Sequence, residues 1–252
     1  MGRIIGIISA KGGVGKTTVT VNLSAALMEL NKNVIAVDAD IKTSSLGLQL
    51  GLYDFHSTLN DKLKEGVNLL EALYIHSTGL KIIPASLYVQ DADVFRLKNF
   101  LDDPVFNNYF VLVDGPPGLQ KNALAVLRSC REIIIVTTPE VPAVVNVLRI
   151  TNIAEEYGCK ILGIIINRYI KRLSEQINPR EIEIACSLPV IGIVPEDKTI
   201  NRSIFRRVPS FFLDSYSPSS IAFKKIAAHL IGEEYKSSKY IFLKRFLRGL
   251  KR

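Results

Sequence analysis

Short runs of β-branched and other apolar residues alternate along this chain with longer segments of helical character. The runs that predict strands are residues 3–9, 33–38, 80–84, 109–114, 132–137, 160–167 and 189–194. The segments that predict helices are 16–31, 120–128, 142–157, 179–187, 199–206 and 219–231. Several strand runs are apolar throughout, which is typical of strands covered on both faces. The alternation therefore predicts an α/β fold, with a mostly parallel, twisted sheet between two layers of helices.

Composition excludes some classes of protein, and the position of the charged residues bears on others. The 252 residues are 48% hydrophobic, which excludes a disordered chain, and no apolar run reaches the length of about 18 that a membrane span needs. The formal net charge is +8, but seven cations and no acid lie in residues 236–252. Residues 1–235 hold 25 of the 32 cations and all 24 acids. Net charge therefore gives no support to a DNA-binding face on the body of the protein.

A glycine-rich segment, AKGGVGKTT at residues 10–18, joins the first predicted strand to the first predicted helix. Glycines let backbone N–H groups approach phosphates closely, and the N-terminus of the helix adds partial positive charge. Lys16 is placed to reach the β- and γ-phosphates, and the Thr17 hydroxyl to ligate Mg²⁺. The residues expected to contact the phosphates are Lys11, Gly12, Gly13, Val14, Gly15, Lys16, Thr17 and Thr18.

Carboxylates follow two of the apolar strands at the edge where the phosphate loop is expected. Asp38 and Asp40 end the second strand run, and Asp114 ends the fourth. An acid at the end of an apolar strand is the pattern that holds Mg²⁺ and its water in phosphate-loop enzymes. The sequence therefore predicts a metal site formed by Thr17, Asp38 and Asp114.

Two departures from the plain phosphate-loop pattern make the sequence resemble the MinD/ParA family of deviant Walker A ATPases. Ala10 replaces the usual first glycine, and a second lysine, Lys11, begins the loop. The resemblance implies that Lys11 contacts phosphate across a nucleotide-sandwich dimer and acts in catalysis with Lys16. It also implies that Asp40, in a switch I segment, orients the attacking water. Gly118, in the switch II segment DGPPG, would move with the γ-phosphate.

Later segments continue this resemblance through about residue 231. TTPE at 137–140 resembles a family element after a strand, and Asn167-Arg168 resembles the element whose asparagine amide bonds the adenine edge. Pro195 and Glu196 belong to a PED stretch whose backbone borders adenine in the family. ATP, ADP and Mg²⁺ are the implied cofactors.

The last 14 residues form an amphipathic pattern when they are placed on a helix. Phe242, Leu243, Phe246, Leu247 and Leu250 share one arc, and cations that include Lys244 and Arg248 occupy the other. Such a helix is typical of in-plane membrane binding, and each cation near an anionic leaflet contributes about 1 kcal/mol. We expect an ATPase domain at 1–232, a polar tether at 233–238 and a membrane-targeting helix at 239–252. A helix packed on the body, or a nucleic-acid arm, are the alternatives for this segment.

The resemblance to the MinD branch implies a cytoplasmic ATPase that associates peripherally with membrane in its ATP state. It implies an ATP-dependent homodimer, an anionic membrane surface as partner, an unidentified activator or cargo protein, and no nucleic acid. Placement of the cell division site is the example that the family offers. The alternatives are a ParA-like partitioning ATPase that binds DNA, a metal-cluster carrier, and a nucleotide-sensing adaptor without turnover. A cluster carrier needs a cysteine pair, whereas Cys130, Cys159 and Cys186 are scattered.

Overall fold

The computed structural model describes residues 2–64, 69–88, 92–171 and 173–235. The strands are β1 (Arg3–Ser9), β2 (Val34–Asp38), β3 (Tyr74–Ile75), β4 (Lys81–Ile83), β5 (Phe110–Pro117), β6 (Glu132–Thr137), β7 (Lys160–Tyr169) and β8 (Val190–Pro195). The helices are α1 (Lys16–Glu29), α2 (Leu46–Gln49), α3 (Leu59–Lys64), α4 (Leu97–Leu101), α5 (Lys121–Ser129), α6 (Val141–Glu156), α7 (Pro179–Cys186), α8 (Lys198–Arg206), α9 (Ser210–Leu213) and α10 (Pro218–Leu230).

The eight strands form one sheet in the order β3-β4-β2-β5-β1-β6-β7-β8. Every neighbouring pair is parallel except β3 and β4, which are antiparallel. β1 lies near the centre, between β5 and β6, so the loop that follows it opens at the middle of the carboxyl edge. The predicted α/β fold with a mostly parallel sheet is confirmed.

Alternate residues of each central strand enter different cores on the two faces of the sheet. In β6, Ile133 and Ile135 pack in one core, whereas Ile134 and Val136 pack in the other. The first core is covered by helices that include α5, α6 and α7, and the second by α1 and α10. This division follows from the two-residue period of a strand, and it explains why the strand sequences are apolar at every position.

The described structure differs from the predicted elements mainly between residues 46 and 101. β3, α2, α3 and α4 were not predicted there, and α9 was not predicted near the end of the chain. These elements have two to six residues, too few to produce a recognisable period. β5 also continues through Pro117, past the predicted end at Asp114, because Pro117 still pairs with Ser9 of β1.

The predicted membrane helix, with Phe242, Leu243, Lys244, Phe246, Leu247, Arg248 and Leu250, lies outside the described residues. The boundary proposed at 238 also lies outside them, and the division of the chain at 232 and 238 stays a prediction. Within the described ranges, no helix is both long and apolar enough to cross a bilayer.

Candidate functional site

The glycine-rich loop connects β1 to α1 and has the backbone form that its sequence requires. Gly13 and Gly15 have φ angles of +79° and +92°, values that L-residues rarely adopt. Gly15 is also the N-cap of α1, so no side chain caps the helix, and its first turn carries no acid. The N–H groups at this end are therefore directed at an open space that favours an anion.

The two loop lysines occupy different environments. Lys16 is buried, with only 8% of its surface exposed, and its charge lies close enough to lower the pKa of Asp114. The Lys11 side chain is 52% exposed, and its Nζ lies 3.5 Å from Oε2 of Glu140. Lys16 thus belongs to the interior of the site, whereas Lys11 stands at its rim.

Hydrogen bonds connect the predicted metal residues into one chain. Thr17 Oγ1 donates to Asp114 Oδ2 at 2.6 Å and lies 2.8 Å from Ser45 Oγ. Ser45 donates its backbone N–H to Asp38 Oδ2 at 3.0 Å. Asp38 and Asp114 are opposite each other in the register of β2 and β5. The fold therefore brings Thr17, Asp38 and Asp114 together.

Asp38 is the acceptor that organises the segment after β2. Its Oδ2 accepts the Ser44 hydroxyl and the backbone N–H groups of Ser45 and Leu46, each at 3.0 Å. Its Oδ1 accepts the backbone N–H of Asp40 at 3.2 Å. Asp38 thereby fixes the backbone that leads from β2 into α2.

Burial and mutual repulsion make this carboxylate pair a good fit for a cation. Burial raises the pKa of both Asp38 and Asp114, the Asp114 charge raises the pKa of Asp38 further, and the hydrogen bonds oppose these effects. A divalent cation beside the pair would relieve the cost of two buried negative charges. Mg²⁺ usually binds through one or two carboxylates, waters and substrate phosphates. The described ranges contain no cluster of three or more His, Cys, Asp or Glu side chains that could hold a metal ion.

The two segments that resemble switch regions follow the two carboxylates along the chain. Asp40 is 9% exposed, and its Oδ1 accepts the backbone N–H of Thr43 at 3.1 Å. Gly118, with φ of +86°, donates its N–H to the carbonyl of Ser9 at 3.0 Å. Switch II is therefore joined by main chain to the start of the phosphate loop.

A narrow pocket of about 60 Å³ collects the residues predicted to contact adenine. Its lining residues are Gly15, Thr18, Asn167, Arg168, Pro195, Glu196, Asp197, Ile200, Asn201 and Ile204. Asn167 Nδ2 donates to the carbonyl of Val14 at 2.8 Å, so the amide also supports the phosphate loop. The second N–H and the carbonyl of that amide retain their capacity to bond a base edge.

Thr20, Ser44 and Ser45 were not singled out from the sequence, and Asp197 was included in the PED stretch without a role of its own. Thr20 donates its hydroxyl to Asp114 Oδ1 at 3.1 Å, and Ser44 and Ser45 bind Asp38 as described above. Thr20 follows Thr17 by three residues, and this helical spacing alone places both hydroxyls on one face of α1. Asp197 accepts the N–H of Thr199 at 2.9 Å and of Ser219 at 3.1 Å, which ties the starts of α8 and α10 together. Nothing in the sequence signals the second of these bonds.

A larger groove on the described surface lies elsewhere. It measures about 890 Å³, and Ile41, Lys42, Arg96 and Lys121 are among the residues that line it. None of the predicted nucleotide contacts lines this groove. The smaller pocket adjoins the phosphate loop through Gly15 and Thr18, which makes it the candidate site for the base.

The central strand, its glycine-rich loop, the helix that follows and the two strand-end carboxylates together define a P-loop NTPase. Residues 1–231 match the ParA family, which is described as NUBPL iron-transfer P-loop NTPase. An uncharacterized ATP-binding protein of Methanocaldococcus jannaschii is 34% identical over 99% of this chain and 97% of its own length.

Two solved structures extend the comparison. The septum site-determining protein MinD of Pyrococcus horikoshii, complexed with Mg-ADP, is 34% identical, with a TM-score of 0.85 over 91% of this chain and 96% of that one. MinD in a MinC:MinD complex of Aquifex aeolicus is 28% identical, with a TM-score of 0.83 over 94% of this chain and 99% of that one. The chain belongs to the MinD/ParA family of P-loop ATPases. These likenesses do not favour the DNA-partitioning alternative.

The iron-transfer activity in the family description finds no support in the cysteines of this chain. Cys130, Cys159 and Cys186 are all buried free thiols. Burial raises the pKa of each, which disfavours the thiolate that binds metal. These residues act as small apolar side chains of the core.

Proposed function

We propose that this protein is an ATP-dependent dimerising switch that hydrolyses ATP to ADP and phosphate and positions partner proteins, as in placement of the cell division site. The observation that carries the proposal is the exposure of Lys11. A phosphate-binding lysine that serves its own site is expected to be buried, as Lys16 is. Lys11 instead projects at the rim, and in the proposed dimer it contacts the phosphates of the second protomer.

The residues of the inner site have separate roles in this proposal. Lys16 and the loop N–H groups hold the β- and γ-phosphates, while Thr17, Asp38 and Asp114 hold Mg²⁺ and its waters. Mg²⁺ would supply positive charge that offsets the charge on the phosphates. Asp40 orients the attacking water, and Lys11 of the second protomer stabilises the charge that develops on the transferred group.

The outer site selects the base and responds to the nucleotide. Asn167, Arg168, Pro195 and Glu196 border adenine, and Gly118 shifts when the γ-phosphate is present. In this proposal no described residue of the site acts as a strong general base, so turnover is slow and needs an activator. A MinD relative that assembles with MinC supports a protein partner for this chain.

Membrane attachment is the remaining part of the proposal. The tail at 239–252 carries apolar residues opposite cations, and two tails on a dimer would act together through their effective concentration. The protein would then be cytoplasmic with ADP and bound to the membrane periphery with ATP. Hydrolysis would release it by separating the dimer.

Mixing two inactive variants tests whether Lys11 acts across the dimer. Lys11→Ala and Asp40→Ala should each lower phosphate release at least tenfold when assayed alone, given the usual size of such electrostatic effects. In a mixed dimer, one site combines an intact Asp40 with Lys11 from the other protomer. We therefore expect the mixture to recover part of the activity. Lys98→Ala, an exposed lysine of α4, is the matched control and should retain full activity.

Two outcomes would contradict the proposal. No recovery in the mixture would mean that Lys11 acts within its own protomer. Normal hydrolysis by Asp40→Ala would remove that residue from the mechanism. Analytical ultracentrifugation with ATP and with ADP measures dimerisation independently of turnover.

A further inference from the structure

The outward face of α8 combines positive charge with an exposed aromatic ring. Lys198, Asn201, Arg202, Phe205 and Arg206 are all exposed, and Arg207 follows at the end of the helix. The buried positions of α8 face the other way, since Ser203 is 1% exposed and Ile200 packs against the core that contains α10. The outward face of α8 carries no carboxylate.

Phe205 is the most exposed large apolar residue of the described chain, at 82%. It stands between Arg202 and Arg206, and these three residues line an open depression of about 600 Å³ together with Asn201 and Leu213. Phe212 of α9, 43% exposed, adds a second ring in this region. An aromatic ring held in water among arginines indicates a surface that binds something both apolar and anionic.

We propose that the outward face of α8 is a second membrane contact, on the body of the protein, that binds the surface of an anionic bilayer. A helix with cations and a projecting aromatic ring suits the headgroup region, where phosphates meet acyl chains. The protein's own tail is a poor occupant, because residues 236–252 carry seven cations and no acid. Like charges would repel the tail from this face.

This contact adjoins the nucleotide pocket. Asn201 and Ile204 of α8 line the pocket that also includes Asn167 and Pro195. Asp197 begins α8 from the same pocket wall. A shift of α8 on nucleotide binding would therefore move the lipid-facing residues with it. The inference goes beyond the tail of the proposed function and does not depend on it.

A single tryptophan provides a direct test, because the chain contains none. In the full-length ATP-loaded protein, Phe205→Trp should shift its emission to the blue with vesicles of phosphatidylglycerol and phosphatidylcholine. Vesicles of phosphatidylcholine alone should give no shift. The matched control is Ile184→Trp on α7, where Ile184 is 71% exposed and the helix covers the opposite face of the sheet. An unchanged emission spectrum of the Phe205→Trp protein, when that protein sediments with anionic vesicles, would overturn the proposal.

Substitutions of the charged and aromatic residues then measure how much the outward face of α8 contributes to vesicle binding. Arg202→Glu with Phe205→Ser should weaken vesicle binding about tenfold, since one cation is reversed and one aromatic anchor is lost. Arg180→Glu with Ile184→Ser makes the same kinds of change on α7 and should bind as the wild type does. We expect the single variant Phe205→Ser to keep the thermal unfolding temperature and the Mg-ADP affinity of the wild type. That result would exclude a folding defect as the cause of weaker vesicle binding.

A tail variant, Phe242→Ser with Phe246→Ser, separates the two membrane proposals. If the tail variant loses binding and the α8 variant does not, the α8 contact is wrong and the tail stands. If the α8 variant loses binding and the tail variant does not, the α8 contact stands and the tail proposal is wrong. Loss of affinity for a 30-base-pair DNA in the α8 variant, with vesicle binding unchanged, would make this face a nucleic-acid surface and overturn the proposal.

Discussion

The inner and outer halves of the nucleotide site are held in different ways. The inner half consists of Lys16, Thr17, Asp38 and Asp114, and both carboxylates are at most 1% exposed. The outer half includes Lys11, Glu140, Arg168 and Glu196, which are exposed. The inner residues bond one another through side chains and backbone, whereas Lys11 and Glu140 meet only loosely at 3.5 Å.

This difference separates the two tasks of the site. The inner half is held by burial and by the protein's own hydrogen bonds, so its electrostatic effect requires little reorganisation on binding. An exposed ion pair of the Lys11–Glu140 kind contributes about 0–1 kcal/mol and breaks easily. The inner half is therefore suited to holding phosphate and metal, and the outer half to exchanging one partner for another.

Replacing each loop lysine in turn should produce the largest contrast. Lys16→Ala should weaken Mg-ADP binding about 100-fold, because a charge-assisted bond to phosphate contributes roughly 1.5–3 kcal/mol. Lys11→Ala should change the same affinity less than threefold, since Lys11 does not face its own phosphates in the proposed arrangement. Isothermal titration calorimetry with Mg-ADP measures both without the complication of hydrolysis. Equal losses of Mg-ADP affinity in the two variants would contradict the distinction between the inner and the outer lysine.

Replacing the loop residue Gly15 with alanine tests the contact with Asn167, at the boundary between the inner and outer halves of the site. At Gly15, with φ of +92°, a new Cβ would lie 2.3 Å from Asn167 Nδ2. Strain and the lost Asn167–Val14 bond should together cost about 2 kcal/mol in unfolding free energy. Gly118, with φ of +86° and open space around it, is the matched control and should cost about 1 kcal/mol.

Urea unfolding followed by circular dichroism measures both glycine variants. A Gly118→Ala protein as unstable as Gly15→Ala would show that backbone strain alone, rather than the contact with Asn167, sets the cost. The boundary between the two halves would then not depend on Asn167.

Substitution of Asp197 tests which bonds hold the wall of the pocket in the outer half. We expect it to have the smallest effect on the free energy of unfolding. Asp197→Asn should cost about 1 kcal/mol at pH 7, because asparagine keeps one oxygen for the Thr199 N–H but its NH2 group cannot accept the bonds from the Ser219 N–H and hydroxyl. Burial alone would raise the pKa of Asp197, but the hydrogen bonds from Thr199 and Ser219 outweigh burial and lower it. A lowered folded-state pKa gives stability that is full above the unfolded value of about 4 and is lost as the pH falls further.

The difference between wild type and Asp197→Asn should therefore be constant from pH 7 to 5 and shrink below pH 4. Urea unfolding at pH 7, 5 and 3.5 measures it, with the exposed Asp54→Asn as control. A difference that grows on acidification would reverse the assigned sign.

The long elements of the fold could be predicted from the sequence, and the short ones could not. β1, β5, β6 and β7 lie in the interior of the sheet, so apolar residues on both faces marked them clearly. β3 has two residues and lies at the edge of the sheet. Ile75 is 66% exposed, and β3 is held by a short pairing with β4 rather than by burial in a core. The predicted strand ended at Asp114, before the GPP segment, but parallel pairing with β1 keeps residues through Pro117 in β5.

The inner residues of the site could also be predicted, since each stands at a fixed place after a strand. Ser45 could not, because its role depends on the path of the chain between β2 and α2. That path is set by Asp38, whose carboxylate gathers several N–H groups from residues up to eight positions ahead. Contacts of this kind arise from tertiary structure and leave no periodic signal.

The bond between the Gly118 amide and the Ser9 carbonyl has an evolutionary consequence. It is made by backbone atoms, so substitution of neighbouring side chains does not delete it, and at position 118 only proline removes the donor. Substitutions that change the surface around switch II, and with it the choice of partner, therefore leave the connection to the phosphate loop in place.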